Sequence, residues 1–251
     1  MEQEGTACLE IKKLGMTFVG AEGFLDVLEE LTFSLARQEF LCVLGPSGSG
    51  KSTLLRLIVG LIKPTKGEIV LGKSNQDSRI SLVFQQANLM PWRTVMQNIL
   101  LPLEIQHIPR DVARGRANKM IELVGLRGFS NSWPAELSGG MAQRVAIARA
   151  FIADPDLLLL DEPFGSLDAL TRERMGSELL NIWQDQQKAV ILVTHSISEA
   201  LMLSDRVIVL SPRPGHIILD LPVPLPRPRK EEIRYTTLFQ ELEKELRRAI
   251  Q

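Results

Sequence analysis

EFLCVLGPSGSGKST, residues 39–53, joins an apolar run to small residues and a lysine. The first seven residues, EFLCVLG (39–45), predict a buried strand. The segment that follows, KSTLLRLIVGLI (51–62), predicts a helix. Between them Gly45, Pro46, Ser47, Gly48, Ser49, Gly50, Lys51, Ser52 and Thr53 fit the pattern G-x-x-x-x-G-K-[ST] in the strand–loop–helix setting it requires. Small residues let backbone N–H groups turn inward around phosphate oxygens, and the helix adds its positive end. Lys51 would reach the β- and γ-phosphates of a nucleotide, and the Ser52 hydroxyl would ligate Mg²⁺.

Working outward, strand-length apolar runs alternate with helical patterns, which predicts an α/β fold with a mostly parallel sheet. KPTKGEIVLG reads as a turn followed by a strand, and SLVF, AVILVTH, DRVIVLS and HIILDL read as strands. From about 88 to 154 strand signals vanish, predicting a helical subdomain inserted between sheet segments at about 1–87 and 155–220. From about 229 to 251, Ile233, Leu238, Phe239, Leu242, Leu246 and Ile250 predict a helix packed on its own domain.

LLLLDEP (157–163) places Asp161 and Glu162 at the mouth of an apolar strand. Acids there face the crevice where such sheets bind ligands. Asp161 suits a place near Mg²⁺, and Glu162 can accept a proton from an attacking water.

Composition narrows the function classes. The chain has 251 residues, 45% apolar and 24% charged, an ordinary globular mix. Lys plus Arg total 29 against 30 Asp plus Glu, a net charge of −1, which argues against a dedicated nucleic-acid binder. The longest apolar runs, such as LIVGLI (57–62), fall far below the roughly 20 residues of a spanning helix. The acidic start MEQEGTACLE lacks the apolar core of a signal peptide. Cys8 and Cys42 support neither a disulfide framework nor a zinc cluster, and a reducing cytosol is expected.

One further segment, ELSGGMAQRVAIARA (136–150), resembles the signature of ATP-binding-cassette (ABC) ATPases. The order GPSGSGKST, VFQQ, LSGGM, LLLLDEP, SLD and VTH, from 45 to 195, is that family's order and covers nearly the whole chain. NLMPWRTVMQNI (88–99) and VIVLSPRPGHI (207–217) resemble the importer ATPases for nitrate, sulfonate, taurine, bicarbonate or thiamine precursors. The resemblance implies a P-loop ABC nucleotide-binding domain with an antiparallel β part beside the parallel sheet. It also implies a role for each matching residue. Phe18 stacks on adenine. Gln85 senses Mg²⁺ and the γ-phosphate and signals to a membrane subunit. Ser138, Gly139, Gly140 and Met141 face an ATP held by a second copy, in a head-to-tail dimer. Ser166, Leu167 and Asp168 line the dimer seam. His195 contacts the γ-phosphate and the water, and Asp161 joins Ser52 and Gln85 around Mg²⁺.

The sequence departs from the family pattern at several positions. Met141 replaces a common Gln, Ala142 a polar residue, Gln86 an acid and Ser196 an Asp. None removes a phosphate or metal group. Trp92 either borders the groove for a transmembrane coupling helix or packs intramolecularly, while Trp133 and Trp183 are expected to be structural. The implied partners are a second copy, permease subunits and, indirectly, a solute-binding protein outside the cell. The implied place is the cytoplasmic face of the membrane. An exporter or lipoprotein-release ATPase is the alternative. A soluble repair or translation ATPase lacks support, since there is one cassette and no heptad tract. A kinase or GTPase is disfavoured by LSGG, the histidine at the strand end and the absence of an NKxD-like guanine reader.

Overall fold

A computed structural model of the chain describes residues 7–20, 23–72, 78–165, 167–186 and 188–250. In chain order the elements are β1 (Ala7–Gly20), β2 (Gly23–Ala36), β3 (Phe40–Leu44), α1 (Lys51–Ile58), β4 (Lys66–Leu71), β5 (Ile80–Val83), α2 (Val95–Ile105), α3 (Arg110–Leu123), α4 (Gly139–Ile152), β6 (Leu157–Asp161), α5 (Ala169–Gln186), β7 (Ala189–Val193), α6 (Ile197–Leu203), β8 (Arg206–Leu210), β9 (Ile217–Pro222) and α7 (Thr237–Ile250). They form two compact units, one of residues 1–78 with 187–251, the other of residues 79–186.

The first unit contains two sheets. One is antiparallel, in the order β2-β1-β4. The other runs β7-β3-β8-β9, with β3 parallel to both neighbours and β9 antiparallel at the edge. Every residue of β3 and β7 is buried, as expected of strands covered on both faces. α6 packs on β3, and α7 packs on α6 and β8.

Predicted and observed elements differ in three places. α1 stops at Ile58, not residue 62, because Gly60 takes φ +79°, which ends the helix. Ile233 lies in a separate 3-10 turn, Glu231–Tyr235, and Leu238 is exposed, so the buried stripe of α7 is Phe239, Leu242 and Leu246. The paired strands β1 and β2, fourteen residues each, go beyond the sequence expectation of an antiparallel part. Register shifts at Ile11/Leu14 and Leu14/Met16, with Lys13 and Glu30 at φ +45° and +49°, break the period-2 pattern that would have announced them.

Arg229 anchors the route into the C-terminal helix. Its buried guanidinium donates to the carbonyl oxygens of Leu201 (2.8 Å), Ser204 (2.6 Å), Val223 (3.2 Å) and Leu225 (3.2 and 3.3 Å). Burial, with the nearby Arg227 charge, depresses its pKa to about 10.

In the second unit β5 runs parallel to β6. Helices α2, α3 and α4 pack together. Thr94 caps α2, its side chain accepting from Gln97 N–H while the Gln97 side chain accepts from Thr94 N–H. No helix among the described residues is long and apolar enough to cross a membrane.

Candidate functional site

In the first unit β3 delivers the chain to the small-residue loop. Gly45 has no room for a side chain, since a Cβ would lie 2.8 Å from Ser49 Oγ and 3.0 Å from Leu210 O. Gly48 and Gly50 take φ +80° and +92°, and a Cβ on Gly50 would meet Leu28 Cδ2 at 2.5 Å. Glycine is therefore required by backbone angle and by contact. Gly50 caps α1 without a side-chain bond, and the first turn of α1 has no acid. The positive end of α1 thus carries no acid of its own first turn, which suits an anion.

Lys51 opens α1 and is only 5% exposed. Its Nζ donates to Gly45 O and Pro46 O, each at 2.9 Å. The ammonium is thus folded into the loop that would carry a phosphate. Ser52 and Thr53 beside it are half-buried. On β3, Cys42 is fully buried, and burial pushes its thiol well up. The Glu199 charge adds to that rise and the Lys51 charge opposes it, so both side chains lie within electrostatic reach of Cys42.

His195 follows β7 and is exposed. Its flanking backbone is pinned. Buried Thr194 donates from Oγ1 to Glu199 Oε2 at 2.6 Å and accepts from Ser196 N–H at 3.1 Å. Ser196 Oγ accepts from Glu199 N–H at 3.3 Å, capping α6. This explains the tolerance for Ser196 where the family often has Asp, because both are good N-caps. Phe18 stands near the tip of β1, opposite Leu25 of β2, and is 40% exposed.

In the second unit β6 is wholly buried, and Asp161 at its end is nearly so. Glu162 follows with φ +43°, a left-handed conformation unusual for a residue with a side chain. Such strain clusters at functional positions. A Cβ built on Gly165 would lie 3.6 Å from both Gln85 Nε2 and Glu162 Oε2. The fold therefore brings Gln85 and Glu162 each to within ordinary contact distance of position 165.

Ser138 caps α4, its Oγ accepting from Met141 N–H at 3.3 Å. Gly139 faces open space, and Gly140 packs near Thr171 and Leu167. Ser166 lies outside the described residues. Leu167 is buried. Asp168 is exposed and accepts from Thr171 N–H at 3.0 Å, so it also caps the start of α5. Hydrogen bonding from Thr171 holds the Asp168 carboxyl below its usual range.

Several residues of this region escaped the sequence reading. Gln143 of α4, buried, donates to Phe84 O at 3.3 Å. Arg149 donates to Ala87 O and Asn88 O, both at 3.1 Å. Burial lowers the Arg149 pKa. The helix that starts at the signature thus holds both sides of the Gln85 loop. Trp92 is 69% exposed, so it is no core residue, and Trp133, at 46%, is not one either. Trp183 is buried as expected.

The family described as ABC transporter matches residues 28–165. An aliphatic sulfonates import ATP-binding protein of Bacillus cereus is 40% identical over 243 residues, covering 95% of this chain and 94% of that protein. The nitrate import ATP-binding protein of a Synechocystis species is 46% identical over 221 residues, covering 87% and 83%. A solved dimeric ATP-binding cassette, in a post-hydrolysis state with ADP and Pi, superposes with a TM-score of 0.76 at 32% identity, covering 86% of this chain and 98% of that one.

Proposed function

The chain belongs to the ABC transporter family, and from that premise we propose that it is the ATP-hydrolysing subunit of a multi-subunit importer. Relatives named for sulfonate and nitrate import support that direction and a small anionic or organic solute. The observation that carries the reading is the phosphate cradle, with Lys51 buried in a glycine-turned loop at the start of a helix whose first turn has no acid.

The expected chemistry follows from the side chains. Phosphate oxygens would replace the Gly45 and Pro46 carbonyls as partners of Lys51, spreading the ammonium charge over the transferring group. Phe18 offers an aromatic face for adenine. Glu162 would take a proton from the attacking water, with Gln85 beside it to orient that water. His195, held by the Thr194–Glu199 pair, would contact the same phosphate. The Ser52 hydroxyl, Asp161 carboxylate and Gln85 amide oxygen are hard-oxygen donors of the kind Mg²⁺ takes, and would hold it. When bound, Mg²⁺ would neutralise phosphate charge.

Ser138 to Met141, with the N-terminus of α4, would read the ATP of a second copy, as the dimeric cassette supports. Ser166, Leu167 and Asp168 would line the seam. Dimer closure and reopening would drive separate permease subunits, the chain sitting on the cytoplasmic face with about 88–154 as its helical subdomain. A solute-binding protein would deliver the cargo.

The test has two parts. Purified chain should release phosphate from ATP in a Mg²⁺-dependent assay. A tagged copy expressed in its native cell should copurify with a polytopic permease and a neighbouring solute-binding protein. Copurification with an exporter or lipoprotein-release permease would overturn the importer reading.

A further inference from the structure

The segment SPRPGH, residues 211–216, has no part in the chemistry above, yet it touches the phosphate loop directly. Its neck is closed by Ser211, which is buried. Ser211 N–H donates to His216 O at 2.9 Å, and His216 N–H donates to Ser211 Oγ at 3.0 Å. The Ser211 hydroxyl also lies 2.9 Å from His216 Nδ1. The loop is therefore fixed at its base before any ligand arrives.

From that base the loop wedges between β2 and the phosphate cradle. Gly215 N–H donates to Val27 O at 2.9 Å, and Glu29 N–H donates to Gly215 O at 3.0 Å, so Gly215 pairs with the edge of β2 like a one-residue strand. Its other side lies on the cradle. A Cβ on Gly215 would stand 2.1 Å from Ser49 O, closer than atoms can approach, so only glycine fits. Leu28 fills the remaining space against both Gly215 and Gly50. One residue earlier than Pro214, Arg213 reaches the outer wall of the cradle. Its Nε donates to Gly48 O at 3.4 Å, and its Nη2 lies 3.1 Å from where a Gly48 Cβ would be. Among the described residues Arg213 has no carboxylate partner.

We propose that this loop is a nucleotide-affinity element, in which Arg213 is a positioning residue for the phosphate cradle. The inference rests on the ATP-binding reading. A loop that binds phosphate turns N–H groups inward, and here the Gly48 carbonyl is the one turned to Arg213. Gly48, at φ +80°, is a glycine with much backbone freedom to lose on binding. A guanidinium on the Gly48 carbonyl fixes that peptide plane in advance. Less order then has to be imposed by ATP, which raises affinity. Its uncompensated charge acts in the same direction on an anionic ligand, and salt will weaken that part.

The test is isothermal titration with Mg-ATP and Mg-ADP on full-length Arg213→Gln, Arg213→Lys and the wild type, with steady-state ATPase on the same samples. Arg213→Gln should raise both dissociation constants about five- to tenfold, a difference of about 1–1.4 kcal/mol. The loss should appear in KM rather than kcat, and should shrink at 0.5 M salt. Arg213→Lys, which keeps the charge and loses the planar fork, should recover part of the affinity. Dissociation constants within twofold of the wild type would overturn the proposal. So would a loss confined to kcat, or a loss of thermal stability with unchanged affinity. Failure of the wild type itself to bind ATP would instead overturn the ATP-binding reading.

Discussion

Lys51→Met removes the ammonium from the cradle and keeps a stem of similar length. In the folded chain Lys51 is 5% exposed and makes two 2.9 Å bonds to carbonyl oxygens. Each charge-assisted bond contributes about 1.5–3 kcal/mol. Taking an ammonium out of water costs several kcal/mol. The two sides nearly cancel, so the nucleotide-free variant should melt within about 3 °C of the wild type, equivalent to ~1 kcal/mol at this size. The response to nucleotide should differ sharply. Ligand at 100 times its dissociation constant stabilises a protein by about 2.7 kcal/mol. At ~2–4 °C per kcal/mol, the wild type should gain about 5–10 °C. Lys51→Met should gain almost nothing under the same conditions. Differential scanning fluorimetry with and without Mg-ATP reads both quantities. A variant that keeps the full ATP shift would refute Lys51 as a phosphate ligand. A nucleotide-free variant that melts more than 10 °C early would show that the lysine chiefly holds the loop together.

Two other substitutions probe the frame around the cradle. Gly50→Ala forces a Cβ to within 2.5 Å of Leu28 Cδ2 at φ +92° and should cost about 1–3 kcal/mol by chemical denaturation. Adding Leu28→Ala clears that contact, so the double variant should lose less than the sum of the single losses. Arg229→Ala strips the four carbonyl groups gathered by one buried guanidinium and should cost about 3–5 kcal/mol. Limited trypsin digestion should then release the segment carrying α7 before the rest of the chain is cut.

The legible parts of the sequence were those whose chemistry is local. Gly45 to Thr53 run without a break from the end of β3 through the loop into α1, and LLLLDEP carries its acids at and just after the end of β6, so neither needs knowledge of a distant partner. β1 and β2 were poorly legible because left-handed residues Lys13 and Glu30 and several register shifts erase their alternation. Ser196 and Glu199 have the S-x-x-E spacing of a capping box. In the fold the Glu199 carboxylate turns to Thr194 instead. Arg149 and Gln143 sit among alanines and valines of an apparently ordinary helix, and only the fold reveals the carbonyls of 84, 87 and 88 beneath them. The contact of Gly215 with Ser49 joins residues far apart in the sequence and has no local mark.

The central claim, that Glu162 activates water for ATP hydrolysis between two copies of the chain, is tested most directly by Glu162→Gln. The amide keeps the shape and cannot accept the proton. ATP turnover should fall at least about 100-fold, in line with loss of a general base. Light scattering in Mg-ATP should show an accumulated dimer that still contains unhydrolysed ATP. Near-normal turnover, or a monomer that binds ATP without dimerising, would contradict the account.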